Sequence, residues 1–400
     1  AHGRVKAMYD TLRPHKKVES AGPSVPVNVT GLDLAPGAGD TFYVLEDITQ
    51  ARQIAASREH KGRTERVGGR TTKVSFVDFM ALVEDGQLDL DAPVSDYLSR
   101  WQLPASEFDA SGVTVRRLLS HTAGLTDSLG YDGFDTAQDR QSLEASLSSA
   151  ADASPSKDGA TLLGSEPGSG FAYSGGGYTL LQLLVEEVSG QSFPEYMNER
   201  VFAPLGMERT TFDHTRALEL GLAENFKPDG DTEPFRWYTA LAATSLFTTP
   251  EDLAKFISAQ APSVSNPVLS DRATAAIRQP HASEMGADIW GLGTMLYAPN
   301  NSGGFIIGHD GSNEPAINTA ARLDPATGDG IVVLSTGTPM LATELAGEWV
   351  FWKTGNVDIL TFASRSGSAL IVFLFGSALI LAIAFGTARW LRRKSLRHQP

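Results

Sequence analysis

The spacing of apolar residues becomes regular only after about residue 73, and it predicts helices first and strands later. Apolar positions recur at helical spacing in five successive segments, each bounded by capping or glycine signals. These predicted helices cover Phe76–Gly86, Val113–Leu125, Tyr178–Gly190, Ser192–Phe202 and Thr249–Ile257. Short apolar runs then predict strands over Trp290–Tyr297, Gly304–Gly311, Ala316–Asp324 and Gly330–Gly337, and a closing helix over Met340–Gly355. This order predicts an α+β architecture with an antiparallel sheet.

Residues 1–72 form an atypical N-terminal segment. Thr41–Ile48 is the only strand-like run, Pro14–Val27 is typical of an extended loop, and no hairpin is indicated. The first 73 residues carry twelve Lys or Arg against eight Asp or Glu, although the chain as a whole has a net charge of −14. Two explanations stay open. The segment has diverged, or it comes from a shifted reading frame or an assembly error before the domain that follows.

The C-terminal residues predict a membrane anchor. No charged residue occurs between Ser366 and Ala388, and about 20 apolar residues in a helix span a bilayer core of about 30 Å. We expect a juxtamembrane linker at 356–367, a transmembrane helix at 368–388 and a basic tail at 389–400. By the positive-inside tendency the tail is cytoplasmic, so the globular domain lies outside the cytoplasm. The alternative is a buried globular helix, which seldom runs this long without a charge.

Composition narrows the chemistry. The acidic surface argues against nucleic acid as a partner. The chain has no cysteine, which excludes disulfides, thiolate metal sites and a cysteine nucleophile. The eight histidines are scattered without ligand spacing, so we expect no metal site and no cofactor.

Three short stretches have the composition of one catalytic site. They are "LLSHTAGL" (Leu118–Leu125), "FAYSGGGY" (Phe171–Tyr178) and "IGHDGSN" (Ile307–Asn313). Each is weak evidence alone, because a lone His or Tyr is more often structural. The glycine run lacks the preceding strand and downstream acid of a dinucleotide loop, which disfavours a phosphate site. In this order, and with "LVEDGQLDLDAPVSDYL" (Leu82–Leu98) upstream, they are far more specific.

These stretches resemble the serine β-lactamase-like and penicillin-binding-protein superfamily. The closest branch is that of class C β-lactamases, D-alanyl-D-alanine peptidases and related esterases. The resemblance runs from about Lys73 to Lys353, and we assign the domain to 73–355. It implies an antiparallel sheet flanked by helices, with a mainly helical subdomain.

The resemblance also implies acyl transfer through Ser-x-x-Lys, Tyr-x-Asn and Lys- or His-x-Gly elements. Lys73 matches the lysine, and Tyr173 matches the tyrosine that activates the serine or protonates the leaving group. His309 and Gly311 match the strand element that orients the substrate. The backbone N–H of Ser312 matches one donor to the oxyanion. His121 and its neighbour Ser120 match a family loop interpreted as structural support.

Two positions depart from that pattern. Arg70 stands where the nucleophilic serine is expected, and Gly175 replaces the asparagine that contacts the substrate amide. A guanidinium is permanently cationic and cannot form an acyl ester. A register shifted by one residue supplies no serine either. The remaining hydroxyls, which we consider weaker candidates, are Thr71, Thr72, Ser75 and Ser174.

The sequence therefore leaves two functions open. The first is a membrane-anchored, extracytoplasmic serine hydrolase acting on a peptide, amide or ester, with activity impaired by the missing serine. The second is an inactive relative that binds cell-wall peptides or a protein partner. In either case we expect the pocket walls in parts of 127–170 and 208–240.

Overall fold

The chain is represented by a computed structural model, which describes part of the sequence. The described residues are 3–10, 13–18, 20, 27–32, 82–83, 86–127, 130–154, 159–313 and 317–362. Arg70, Lys73, the run Thr41–Ile48 and the predicted anchor lie outside them. The chain divides into two compact units, 1–71 and 72–400.

The first unit contains a three-stranded antiparallel sheet in the order β2-β1-β3. Its strands are β1 (Gly3–Asp10), β2 (Arg13–Val18) and β3 (Val27–Leu32). The predicted loop at Pro14–Val27 is therefore wrong over 14–18 and at Val27, whereas most of 19–26 lies outside the described residues. The expectation that 1–72 lack a hairpin of the main sheet is not contradicted, because these strands form a sheet of their own. The pattern concealed β2 because proline and lysines are poor strand formers, yet both are tolerated in an edge strand.

The described part of the second unit has mainly helices first, then strands and a closing helix, as the order of patterns predicts. Its first elements are α1 (Val115–Leu119), β4 (Gly130–Tyr131), α2 (Leu143–Ser149), β5 (Ala153–Ser154), α3 (Gly175–Ser189), α4 (Phe193–Met197), α5 (His214–Glu219), α6 (Pro250–Ser258) and α7 (Asp271–Ile277). They are followed by β6 (Ala282–Glu284), β7 (Ala287–Trp290), β8 (Met295–Pro299), β9 (Phe305–Asn313), β10 (Ile317–Leu323), β11 (Gly330–Ser335) and α8 (Leu341–Thr354).

Strands β6 to β11 form an antiparallel sheet in sequence order, with helices on both faces. Ile307 and Ala321 pack with Ile257 of α6. The residue before each of them lies on the opposite face of the sheet, where Ile306 packs with Val350 of α8. Ala320 packs against Ala346 of α8. This alternation is the period of two expected of a strand, and it gives three layers: α8, the sheet, and α6 with the helical subdomain.

Several predicted boundaries are confirmed by their caps. The Thr114 side chain accepts a hydrogen bond from the Arg117 N–H, and Thr249 accepts one from Asp252. Ser192 and Glu195 form the expected capping box. The single strand predicted over Trp290–Tyr297 is wrong, because a turn after Trp290 separates β7 from β8. Within the described ranges, which stop at residue 362, no helix is both long and apolar enough to cross a bilayer.

Candidate active site

The segment that carries Tyr173 is fixed by the start of helix α3. The Ser174 side chain accepts a hydrogen bond from the Gly177 N–H at 2.8 Å and so caps the helix. The buried Asp127 carboxylate accepts a second one from the Gly176 N–H at 2.8 Å. A Cβ on Gly176 would lie 2.1 Å from that carboxylate, so only glycine fits. The glycine run therefore allows a carboxylate and a hydroxyl to hold the turn.

The His121 side chain positions Tyr173 through ring packing and a hydrogen bond to the residue that follows it. Its ring lies 4.3 Å from the Tyr173 ring and 5.0 Å from the Tyr178 ring, centroid to centroid. Its Nδ1 accepts a hydrogen bond from the Ser174 N–H at 3.0 Å. Burial, followed by the nearby His309, lowers the pKa of His121 to about 3. The ring is therefore neutral at physiological pH, as an accepting Nδ1 requires.

One carbonyl joins the helical subdomain to the sheet beside this site. The Leu119 oxygen accepts hydrogen bonds from the Gly293 N–H at 2.9 Å, the Trp290 Nε1–H at 3.1 Å and the Tyr178 hydroxyl at 3.2 Å. These donors come from helix α3, strand β7 and the turn that follows it. The arrangement fixes the Trp290 indole against the loop that carries His121.

Trp290 brings two of the predicted catalytic residues together. Its ring lies 5.9 Å from the Tyr173 ring and 5.4 Å from the His309 ring, centroid to centroid. Sequence reasoning missed Trp290, because it falls inside a run read as an ordinary strand. The third predicted residue, Lys73, and the nucleophile position, Arg70, lie outside the described residues.

In the described part of the sheet, the segment of strand β9 from His309 to Asn313 is hydrogen-bonded to a neighbouring strand on one side only, and we call this segment the free half-strand. The pairing of β9 with β8 ends at Gly308, whereas its pairing with β10 continues to Asn313. Among the described residues, 309–313 therefore pair on one side only. Gly311 and the exposed Ser312 lie in this half-strand, where a backbone N–H can serve a bound ligand. Gly175, the other predicted contact residue, is the first residue of α3.

Tyr173 and His309 are both held uncharged near neutral pH. The Tyr173 side chain is 48% exposed, and the partial burial of its ring raises the pKa of its hydroxyl. The His309 side chain reaches solvent, but crowding by protein atoms lowers its pKa, and the Arg322 charge acts in the same direction. The site thus presents a neutral phenol and a neutral imidazole, which can exchange protons with a reacting group.

A buried ion network lies behind β9, and no local sequence pattern indicates it. Asp310, between His309 and Gly311, forms an ion pair with Arg322 on β10. Arg322 is fully buried and also pairs with Asp358, Nε to Oδ2, at 3.0 Å. The Tyr297 hydroxyl donates to Asp310 at 2.8 Å.

Side chains from α8 and β10 complete the network. The Thr343 hydroxyl donates to the second Asp310 oxygen at 2.6 Å. The Asn318 side chain donates to Thr343 Oγ1 at 3.1 Å and to the Gly311 carbonyl at 3.3 Å. The strand that carries His309 is therefore held from behind through both its side chain and its backbone.

The predicted wall loops meet each other and the end of β9. Phe134 and Trp237 exchange two backbone hydrogen bonds, which join 127–170 to 208–240. The Asn313 side chain donates to the Tyr238 hydroxyl. An open polar cavity of about 490 Å³ is lined in part by Tyr238 and Arg100, and Tyr173 does not line it. Within the described chain, no group of three metal-ligating side chains occurs.

An antiparallel sheet between α8 and a helical subdomain, with Tyr173 and His309 at their junction, defines a serine β-lactamase-like fold. Residues 77–349 match the model of the Beta-lactamase family. That match covers more than half of the chain, so the chain belongs to this family. Arg70 and Lys73 both precede the first matched residue.

Solved structures agree with this fold. An octameric penicillin-binding protein homologue from Pyrococcus abyssi is 25% identical, with a TM-score of 0.57, over 72% of this chain and 66% of that one. A penicillin-binding protein from Bacillus halodurans is 23% identical, with a TM-score of 0.52, over 68% and 79%. A D-amino acid amidase from Ochrobactrum anthropi SV3 is 22% identical, with a TM-score of 0.53, over 69% and 78%.

Curated relatives of a different family also match. Translation initiation factor IF-2 of Rhodopirellula baltica is 42% identical over 137 residues, which are 32% of this chain and 13% of that protein. The same factor of Clostridium tetani is 40% identical over 87 residues, or 22% and 12%. The chain thus spans about an eighth of the length of these relatives.

Proposed function

We propose that this protein is a membrane-anchored, extracytoplasmic member of the Beta-lactamase family whose cleft binds the carbonyl of a peptide, amide or ester. Turnover is impaired in this chain, because Arg70 stands at the nucleophile position. We propose a cell-wall-derived peptide as the substrate class; the names of two solved neighbours refer to penicillin binding.

The convergence of Tyr173 and His309 on Trp290, beside the free half-strand 309–313, carries the proposal. A carbonyl bound along this half-strand would find the Ser312 N–H as a donor for its developing negative charge. Tyr173 would pass a proton to the leaving group, and His309 would orient the substrate. Lys73 is the proposed base, on the resemblance alone.

The lack of a serine supports impairment. A hydrolase of this type needs a nucleophile that acts as a unit with its base. Removing the nucleophile from such a unit lowers the turnover rate by about six orders of magnitude. Arg70 cannot supply the oxygen, and Gly175 has no side chain to hold a substrate amide. The same two residues favour a second candidate, an inactive relative that retains the cleft as a binding module.

Equilibrium binding tests the cleft itself. We expect the purified chain to bind an N-acyl-D-alanyl-D-alanine peptide, measured by calorimetry, and His309→Ala to weaken binding at least about tenfold. His281→Ala is the matched control, because His281 lies outside both predicted wall segments, in the neighbourhood of Arg116 and Asp91. Equal binding by both variants, or none by the parent chain, would contradict the proposed cleft.

The anchor is tested by removing it. We expect the full chain to fractionate with membranes and a chain without residues 366–400 to become mainly soluble, because only this segment is long and apolar enough to span. Retention of the shortened chain on membranes after a high-salt wash would contradict a single C-terminal anchor.

We further propose that the first unit is related to the translation factor and not to the β-lactamase-like domain. It lies outside the 77–349 match. The similarity to the translation factor covers 137 residues, more than the 76 that precede this match or the 51 that follow it, so on this proposal it also takes in some residues of the family domain. On this proposal Arg70 and Lys73 occupy the Ser-x-x-Lys positions without deriving from that segment, and the base assigned to Lys73 above is then absent.

A further inference from the structure

The outer face of helix α8 is apolar although nothing in the described chain covers it. Leu341, Leu345 and Trp352 are exposed, and Trp352 reaches 79%. At about 100° per residue these positions lie within about 40° of one another, so they form one stripe along the helix. The opposite side, with Ala342 and Ala346, is buried on the sheet. The helix therefore has two apolar faces and uses one of them in the fold.

The apolar surface continues beyond the end of α8. Phe351, Val357 and Phe362 are also exposed, the last at 64%. Asp358 starts a further helical turn, since its carboxylate accepts from the Leu360 N–H at 2.8 Å. Next to Phe362 an apolar hollow of about 340 Å³ opens between this turn and β8. We call Leu341, Leu345, Phe351, Trp352, Val357 and Phe362 the C-terminal apolar surface.

We propose that the C-terminal apolar surface lies in the interfacial region of the lipid bilayer. This inference rests on the proposed anchor, which would start only a few residues after Phe362 and hold the surface against the membrane. Tryptophan and other aromatic side chains favour the water–hydrocarbon boundary, where Trp352 and Phe362 would lie. The surface then orients the domain, with α8 towards the lipid and the layer that holds α6 away from it.

The charges on this side argue for lipid over a second copy of the chain. Glu344 is exposed beside the stripe, and Glu348 is exposed within it, about 20° from Leu341 around the helix. A two-fold contact through α8 would bring the carboxylates of both copies together, which is unfavourable. Lys353 already pairs with Asp329 at 2.5 Å. The membrane contact is therefore apolar, and we expect it not to depend on anionic lipid.

Cysteine labelling of the full chain tests the surface, because the chain has no native cysteine. A polarity-sensitive fluorophore is placed in separate variants Trp352→Cys, Ser377→Cys and Leu218→Cys, reconstituted in phosphatidylcholine vesicles with nitroxide-labelled lipid. Ser377 lies inside the proposed anchor. Leu218 is an exposed apolar residue of α5, in the helical part of the domain, and serves as the matched control.

We expect headgroup-level nitroxides to quench the label at 352 at least about twofold more than the label at 218, and deep nitroxides to quench the label at 377. Quenching at 377 with only background quenching at 352 overturns the surface and leaves the anchor. Quenching at 352 without quenching at 377 supports the surface and contradicts the anchor. Background quenching at both positions overturns both. Leu345→Glu should reduce the quenching at 352, and Leu218→Glu should not.

Discussion

At the scale of single residues, the site depends on a buried imidazole that stays neutral. His121 adopts a φ of 54°, is almost fully buried, and packs against the rings of two tyrosines while it accepts a backbone hydrogen bond. A positive φ is costly for a residue with a Cβ, so the surrounding contacts must hold it. If His121 were protonated, Nδ1 could no longer accept, and the support under Tyr173 would be lost.

This arrangement predicts a pH dependence of stability. The folded pKa of His121, about 3, is below the unfolded value, so the unfolded chain takes up the proton first as the pH falls. The contribution is complete above about pH 6.5 and is lost towards pH 3. His121→Asn keeps an acceptor and tolerates a positive φ, but does not titrate.

We therefore expect the parent chain to lose about 2 kcal/mol more unfolding free energy than His121→Asn between pH 7 and pH 4.5. Denaturant unfolding at the two pH values measures this difference. Equal losses in both proteins would contradict a neutral, buried His121.

Residue types in short motifs were sufficient to single out Tyr173 and His309, which the structure places on either side of the predicted cleft near Trp290; their catalytic roles stay predictions. Trp290 could not be found in this way. Its role depends on a turn that ends β7 at that residue and on the shared Leu119 carbonyl, which lies far from it in sequence. Contacts between distant segments are not encoded in local pattern.

At the scale of elements, strand β9 is positioned by charges on its hidden side. Arg322 lies between Asp310 and Asp358, and all three are buried or nearly so. Asp358 starts the helical turn that leads to the proposed anchor, so the network joins that turn to the strand of His309. The pairing of these three charged residues cannot be read from their local sequence, because they lie far apart along the chain.

Breaking this network should be costly. Arg322→Met leaves two buried carboxylates without their cation, and we expect a loss of about 3–5 kcal/mol in unfolding free energy. The control is Arg216→Met, since Arg216 pairs with Glu219 at the surface, where such a pair contributes about 0–1 kcal/mol. Similar losses in the two variants, measured by denaturant unfolding, would argue against a buried network.

Element prediction succeeded where capping residues agree with apolar spacing, as at Thr114, Ser192 and Thr249. It failed for β2, because proline and lysines conceal a strand that only an edge position permits. It also merged β7 with β8, since the intervening turn at Gly291–Thr294 has no polar residue beyond threonine. Both failures arise where tertiary context overrides local propensity.

At the scale of the whole molecule, the chain combines a β-lactamase-like domain with a first unit that this family does not explain. The sheet of the first unit shows that 1–72 contains ordered strands, contrary to the pattern-based expectation. How the missing serine arose, by divergence or by a mis-framed junction, is a question about the gene.

The gene offers a direct prediction. If 1–72 are not native to the domain, sequencing single DNA molecules from the source organism across the region of codons 60–90 should show codons for Ser-x-x-Lys directly before the domain. An uninterrupted frame identical to the present one in independent isolates would contradict this and leave divergence as the explanation.

The central claim is that a cleft shaped for attack on a carbonyl survives here without its attacking oxygen. Intact-mass spectrometry after incubation with a penicillin and with a fluorophosphonate tests it most directly. We predict no covalent adduct on the full chain and none that depends on Lys73. A stoichiometric adduct that disappears in Lys73→Ala would contradict the claim, because it would require a reactive hydroxyl beside that lysine.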